Sequence, residues 1–338
     1  MLKEKRHQRV TAKDIANQLG LSQPTVSRIL NETKGYRVSE ETRRRVLSTA
    51  AEMGYRPNAL ARSLRSQRTN ALGLYTGYGY VDARNAFLAA VIGGVQRAAD
   101  GYEMDLLLYG TFRGTSTEDI FGKMMDGRID GLLVHTHAED PLVARLRESR
   151  LPTVAIADTI PGIPSVVCDD GDGIRQLVGY LREQGHERIG FVRPKQRFTS
   201  VEIRAEAFRE ALQVYCPNSD IRVLTIDLEE AAPVLETLKT MPDPPTALCC
   251  WNDLTALRLL DACRKCGVRV PEDLAVTGFD GLMDVWTVGR SLITVGAHWN
   301  EITTRAVELL VRWINDGSPA TIPDVVRMPV NLIAGDTA

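Results

Sequence analysis

Gln23 and Arg28, in the stretch SQPTVSRILN, are the side chains best suited to reading a hydrogen-bonding pattern. An amide or a guanidinium can make a pair of hydrogen bonds to the edge of adenine or guanine. Such work requires a helix that turns both residues outward. Val26, Ile29 and Leu30, at i, i+3 and i+4, supply its buried stripe and leave Gln23, Ser27 and Arg28 on the opposite face. Ser22 caps this helix, and Pro24 falls in its first turn, where a missing N–H costs little. Upstream, Thr11 and Asp14 form an approximate capping box, Ile15, Ala16 and Leu19 share a face, and Gly20 ends the segment. A third helix opens at Ser39, buries Val46, Ala50 and Met53, and stops at Gly54. Two short helices joined by a tight turn and braced by a third predict a helix-turn-helix, its second helix in a DNA major groove. Three-helix units also bind proteins, so charge decides. Residues 1–68 hold 15 Lys and Arg against 6 Asp and Glu, an excess of nine; the whole chain carries −2, which leaves −11 for the rest. A basic head on an acidic body favours DNA.

Pro57 and Asn58 introduce ALARSLR, a run too short to hold a helix alone in water. It is expected to fold only when DNA and a partner chain stabilise it. Leu60 and Leu64 are spaced i, i+4, flanked by Arg62 and Arg65. An apolar wedge beside arginines is what a minor-groove kinking element needs, although a plain amphipathic linker would show the same spacing.

From residue 71, short apolar runs (ALGLYT, MDLLLYG, DGLLVHT, PTVAIAD) alternate with amphipathic stretches, and the alternation begins again after VVCDD. This predicts an α/β fold of parallel sheets covered by helices, in two similar lobes, with a ligand cleft beyond the carboxyl ends of the strands. The expected strand ends carry suitable polar groups: Asp158 after VAIA, Asn252 and Asp253 after ALCCW, Asp280 after AVTGF, and Arg204 at the start of the helix following RIGFV. They offer directional donors and acceptors to sugar hydroxyls, and Phe87 or Trp299 could supply a stacking face. Taken singly, each Asp or Asn could instead cap the next helix.

Other features exclude function classes. No apolar run approaches the roughly 20 residues that span a bilayer. MLKEKRHQRV lacks the apolar core of a signal peptide, so the cytoplasm is the expected compartment. Six scattered cysteines fit reduced thiols, and Cys263 and Cys266 form a CxxC within an expected helix and without a second ligand pair. His135 and His137 share one side of a strand but lack a partnering ligand, so no metal is expected. Gly77-x-Gly79 lacks the third glycine of a dinucleotide loop, and no nucleophile elbow, zinc-protease motif or P-loop occurs. Neither a cofactor nor catalysis is expected.

LSQPTVSRILN, VSEETRRRV, MGYRPNALARSLR and TNALGLY together resemble the lactose/galactose repressor family of bacterial transcription regulators, a likeness that runs through essentially the whole chain. It implies that Gln23, Pro24 and Arg28 read bases, that Thr11, Ser27, Asn31 and Ser39 contact phosphates beside the cap Ser22, and that Leu64 intercalates. Pro24 has no side-chain donor where relatives often carry a polar residue, so readout there is apolar or by shape. The loop ETKGYR is slightly longer than in the best-known members. The resemblance also implies a two-lobed periplasmic-binding-protein fold with effector contacts at Phe87, Asp158, Ser200, Arg204, Asn252, Asp280 and Trp299. Ala207 and Ala297 depart from its usual pattern, and Tyr78 and Tyr80 lie in a long first-lobe loop. The implied division is residues 1–57 as headpiece, 58–70 as hinge helix and linker, and 71–338 as effector-binding and dimerisation domain. Its first lobe takes about 71–168 and 298–325, its second about 169–297 and 326–338. The expected molecule is a repressor controlled by a small-molecule effector, a carbohydrate in preference, and acting on a pseudo-palindromic operator. It is a homodimer, since VNLIAGDTA is not a tetramerising heptad tail. Control by a nucleobase or a phosphoprotein partner stays open, as does a solute-binding receptor, which would have no use for the basic head.

Overall fold

The computed structural model describes residues 10–31, 35–57, 63, 67–77, 85–110, 115–195, 198–217, 222–226, 232–282 and 291–338. They fall in two compact units, Met1–Thr69 and Asn70–Ala338. In the first, α1 (Ala12–Leu19), α2 (Gln23–Leu30) and α3 (Glu40–Glu52) enclose a core of Ile15, Ala16, Val26, Ile29, Val46 and Ala50. Leu30 and Met53 pack against it half-buried. Helix α1 starts with a full capping box: Thr11 accepts from the Asp14 N–H, while the Asp14 carboxylate accepts from the Thr11 N–H at 2.8 Å. It ends at Gly20, whose φ of +65° is open to glycine at little cost. The expected hinge helix, with Leu64, lies outside the described residues apart from Ser63, as do Tyr78 and Tyr80 and part of the ETKGYR loop.

The second unit alternates strand and helix. Its first half contains β1 (Ala71–Thr76), α4 (Ala86–Asp100), β2 (Asp105–Gly110), α5 (Thr117–Met124), β3 (Gly131–His135), α6 (Pro141–Glu148), β4 (Thr153–Ile156) and β5 (Ser165–Cys168). The second contains α7 (Asp170–Glu183), β6 (Ile189–Pro194), α8 (Thr199–Tyr215), β7 (Arg222–Ile226), α9 (Ala232–Thr240), β8 (Ala247–Cys250), α10 (Asp253–Cys266), β9 (Ala275–Asp280) and β10 (Ile293–Gly296). Three elements close the chain: α11 (Trp299–Asp316), β11 (Val325–Met328) and β12 (Asn331–Ile333). Two six-stranded sheets result, ordered β11-β5-β4-β3-β1-β2 and β12-β10-β9-β8-β6-β7. Every pairing is parallel except β10 with β12. The strands are buried end to end in β1, β3, β4, β8 and β9, as expected where helices cover both faces.

The sheet register moves one boundary. Val325–Met328 pairs with Ser165–Cys168 in the first sheet, so the final change of lobe follows Met328 rather than residue 325. One continuous core joins the lobes, running from Leu72, Leu133 and Val154 through Val307 and Leu310 to Phe191, Phe279 and Val295.

Candidate functional site

The exposed face of α2 carries Gln23, Pro24 and Arg28; Ser27 and Asn31 are half-buried, and Thr11, Ser22 and Ser39 are exposed. Ser22 and Ser39 cap α2 and α3 by accepting from the N–H groups of Thr25 and Thr42. Their hydroxyls also bond to the Thr25 and Thr42 hydroxyls, at 2.9 and 2.8 Å. Three helix N-termini are therefore capped by small polar residues at the surface. The first turn of α2 holds no acid, so its partial positive charge and N–H groups suit a phosphate, whereas α1 and α3 carry Asp14 and Glu40 with Glu41 in theirs. Asn31 instead donates to the Ser27 carbonyl at 2.5 Å and closes the end of α2. Tyr36 was not among the residues that the sequence singled out. Its hydroxyl donates to Thr25 Oγ1 at 3.3 Å, and the Arg28 guanidinium lies 5.2 Å from its ring centroid, a cation–π contact that steadies the arginine on the exposed face of α2.

In the large unit the strand ends gather polar groups between the lobes. Asp158 follows β4 of the first lobe, and its Oδ1 accepts from the backbone N–H of Ser200 on α8 of the second at 2.8 Å. Thr199 Oγ1 donates to the Thr159 carbonyl at 3.2 Å beside it. Helix α8 begins at Thr199 with no side-chain cap of its own, so Arg204 sits a full turn inside it rather than at its start. Ala157, at φ +74°, holds the backbone in a left-handed turn immediately before Asp158.

Arg204 is 4% exposed and surrounded. Its Nε donates to Asp170 Oδ1 at 2.7 Å and its Nη1 to the Trp251 carbonyl; Nη2 lies 3.9 Å from Asp280 Oδ1. The guanidinium stacks 3.6 Å above the Phe279 ring. Burial pushes the carboxyls of Asp170 and Asp280 above the usual range, with Arg204 pulling the other way. Burial also pushes Asp253 up to about 6, although Thr294 Oγ1 donates to it at 2.5 Å and the Leu282 N–H at 2.9 Å. Asp280 itself ends β9 at φ +120°, and Gly281 follows at φ +70°, where a Cβ would come within 2.6 Å of Gly296 Cα.

The first lobe contributes an aromatic wall. Phe87 meets Trp299 edge-on, with centroids 4.8 Å apart at 88°, and lies 5.0 Å from His135. Trp299 Nε1 donates to the Asp280 carbonyl at 3.2 Å, tying this wall to the second lobe. His135 is buried with Nδ1 3.3 Å from the Ile156 carbonyl; burial lowers its pKa, and Asp158 opposes that shift.

The structure thus brings together Asp158 with Ser200, and Arg204 with Asp280, Trp299 and Phe87. Asn252 is different: its Oδ1 caps α10 by accepting from Thr255 N–H at 2.9 Å, the capping alternative open at that position. Cys168, Asp170, Phe279 and the Trp251 carbonyl surround the Arg204 guanidinium, Asp253 feels its charge, and His135 packs on Phe87. Trp251 lies parallel to Phe198, 5.6 Å between centroids. Of these, Asp253 and His135 were singled out in the sequence; for Asp170 and Trp251 the doubled acid of VVCDD and the Trp of ALCCWND were the only hints. Among the described residues no group of three or more His, Cys, Asp or Glu is arranged to hold a metal, and no helix is long and apolar enough to cross a membrane.

Comparison with known proteins agrees with this architecture. Residues 11–58 match the family of bacterial regulatory proteins, lacI family, and residues 178–338 match the periplasmic binding protein-like domain. The chain is 29% identical over 314 residues to the "Probable HTH-type transcriptional repressor ExuR" of Bacillus subtilis, covering 91% of this chain and 92% of that protein. It is also 29% identical over 317 residues to the HTH-type transcriptional repressor PurR of Photobacterium profundum, covering 90% and 92%. The fold matches a Lac repressor dimer bound to operator and the anti-inducer ONPF, with a TM-score of 0.82 at 22% identity over 98% of this chain and 99% of that one. It also matches a complex of the transcriptional regulator CelR with cellobiose, at TM-score 0.71 and 27% identity over 98% and 100%. With a lacI-family helix-turn-helix head, a periplasmic-binding-protein-like two-lobed domain and relatives that are transcriptional repressors, not enzymes, the chain is a DNA-binding transcription regulator.

Proposed function

We propose that this regulator is a cytoplasmic homodimeric repressor that binds a pseudo-palindromic operator and senses a carbohydrate, or a derivative of one, in the cleft between its lobes. Residues 1–57 would dock on DNA, 58–70 form the hinge, and the remainder sense and dimerise. Thr11, Ser22, Gln23, Pro24, Ser27, Arg28, Asn31, Ser39 and Leu64 are assigned to DNA. Phe87, Asp158, Ser200, Arg204, Asp280 and Trp299 are assigned to the effector; Asn252 joins them only if its cap leaves its amide group available.

The observation that carries the sensing role is the bond from the Ser200 N–H to Asp158, because it joins polar residues of both lobes across the cleft. A molecule among them touches both lobes and so binds one degree of closure better than another, which is the condition for shifting an equilibrium. Aromatic faces beside directional polar groups suit a sugar, and the relative CelR was solved with cellobiose. Lobe movement would reposition the paired hinge helices and their fit to the minor groove.

Thermal-shift screening of sugars, sugar phosphates and nucleobases, followed by fluorescence-anisotropy titration of a selected operator, tests this. A carbohydrate should raise the melting temperature by mass action and change operator affinity. A nucleobase acting in its place would sink the carbohydrate assignment, and silence of the whole panel would sink small-molecule sensing.

A further inference from the structure

Thr76 ends β1, an interior strand of the first sheet, and is 1% exposed. Its Oγ1 is the one buried side-chain nitrogen or oxygen among the described residues that has no hydrogen-bond partner. Native structures rarely leave a buried hydroxyl unpaired, because its lost hydration is then uncompensated. Strand alternation places Thr76 on the face of Leu72 and Leu74, which line the core with Val91 of α4 and Ile302 of α11. Tyr75 points to the opposite face, where its hydroxyl donates to Asp140 at 3.0 Å.

Thr76 is in register with His135 on the adjoining strand. The His135 ring lies against Phe87, and Phe87 against Trp299, near the starts of α4 and α11. A hydroxyl without a partner, an imidazole and two aromatic rings therefore converge at the carboxyl end of the first sheet, at the cleft wall described above. The charge available there limits what can enter. Arg204 already commits donors to Asp170 and the Trp251 carbonyl, with Asp280 beside it. The buried carboxyls Asp158, Asp170, Asp253 and Asp280 outnumber that single guanidinium. An incoming carboxylate or phosphate would meet these acids, whereas a hydroxyl or carbonyl can bond to the threonine.

We infer that Thr76 is an effector-binding residue of the first lobe, whose hydroxyl hydrogen-bonds an uncharged hydroxyl or carbonyl group at the buried end of the ligand. This rests on the cleft being the effector site, as proposed above. The full-length protein with Thr76→Val, which keeps the shape and removes the hydroxyl, tests it beside Thr76→Ser. Each would be melted alone and with D-glucose, D-galactose, cellobiose, D-glucuronate, hypoxanthine or guanine. Without additive, the valine variant should melt at or above the wild-type temperature, since it loses an unpaired polar atom. The compound that stabilises wild type should bind the valine variant about tenfold more weakly and the serine variant within about threefold of wild type. A valine variant that melts well below wild type would show an internal partner for the hydroxyl and overturn the inference, and so would preference for D-glucuronate over D-glucose. Equal affinity of wild type and valine variant removes this contact alone; a panel that leaves wild type unmoved removes the cleft reading and the contact with it.

Discussion

Arg204 is the residue on which the cleft's electrostatics turn. It and Asp170 are each 4% exposed, and their contact is 2.7 Å. Removing one partner from a buried ion pair leaves the other charge without compensation. Arg204→Ala should therefore cost about 3–5 kcal/mol in urea unfolding; a cost below about 1 kcal/mol would mean that Asp170 finds water in the cleft. A second prediction concerns pH. Burial holds Asp253 at about 6, above its ordinary value of 3.8, so the folded state binds this proton more tightly than the unfolded chain does. Its contribution is complete below the unfolded value and is lost as pH rises through about 6. Asp170 and Asp280, also raised by burial, act in the same direction. Asp273, held down to about 2 by hydrogen bonds from Arg269, titrates below that window. His135 and His186, whose pKa values burial lowers, act the other way as pH falls through about 6.5, so the Asp253 contribution is read as a difference between two proteins. Between about pH 7.5 and 5.5, Asp253→Asn should gain less melting temperature, or lose more, than wild type. Calorimetry showing the same pH response in both would contradict the assignment. Asp253 stood out with Asn252 after ALCCW, but Asp170 was not legible as a partner of the site, because an acid in the first turn of a helix carries the same sequence signal whether it faces solvent or a cleft. The reverse held at Asn252, where the position after a strand suggested a ligand and the side chain caps a helix.

At the scale of elements, short-range physics was the most legible. The capping residues Thr11, Ser22 and Ser39 and the stop at Gly20 follow from local chemistry, and the structure has them where the sequence puts them. Strand pairing was less so, since the assignment of Val325–Met328 to the first sheet and the antiparallel run of β12 depend on contacts distant in sequence. The capping serines also permit a test that separates folding from DNA contact. Aspartate caps a helix about as well as serine, so Ser39→Asp should keep headpiece stability within about 0.5 kcal/mol. If the α3 N-terminus meets phosphate, the added negative charge should weaken DNA binding about tenfold or more and reduce the salt slope by about one. Unchanged affinity would remove Ser39 from the interface. The hinge segment calls for a different comparison. An apolar wedge acts only on a duplex that kinks, so Leu64→Ala should weaken binding to a selected operator far more than binding to random duplex. Equal losses would leave Leu64 no role as a wedge.

Across the whole molecule, function depends on a basic head and an acidic sensor answering to each other. The sequence shows that division in its charge, and it shows the repeated strand-helix pattern of the lobes. It does not show how the lobes meet, which depends on contacts distant in sequence, the shared core and polar bonds across the cleft among them. Asp158 is the clearest of these. Helix α8 has no side-chain cap of its own, and a carboxylate from the opposite lobe accepts the Ser200 N–H in its first turn. A negative charge there also meets the positive end of the helix dipole. In this arrangement of the lobes the bond completes a helix cap, and separating them would break it. The left-handed turn at Ala157 aims the carboxylate, at a cost in strain that the contact must offset. Asp158→Ala should bias the lobes toward opening while leaving both sheets intact. Allosteric coupling is commonly about 1–3 kcal/mol, so the ratio of operator affinities with and without effector should shrink by about fivefold or more. Asp158→Asn, which keeps an acceptor but loses the charge, should fall between the two. Anisotropy titrations on the selected operator, paired with small-angle scattering of the free protein, would read both effects. A variant that opened in scattering yet kept the full effector response would uncouple lobe closure from DNA release, and signalling would then have to run through another contact between the lobes.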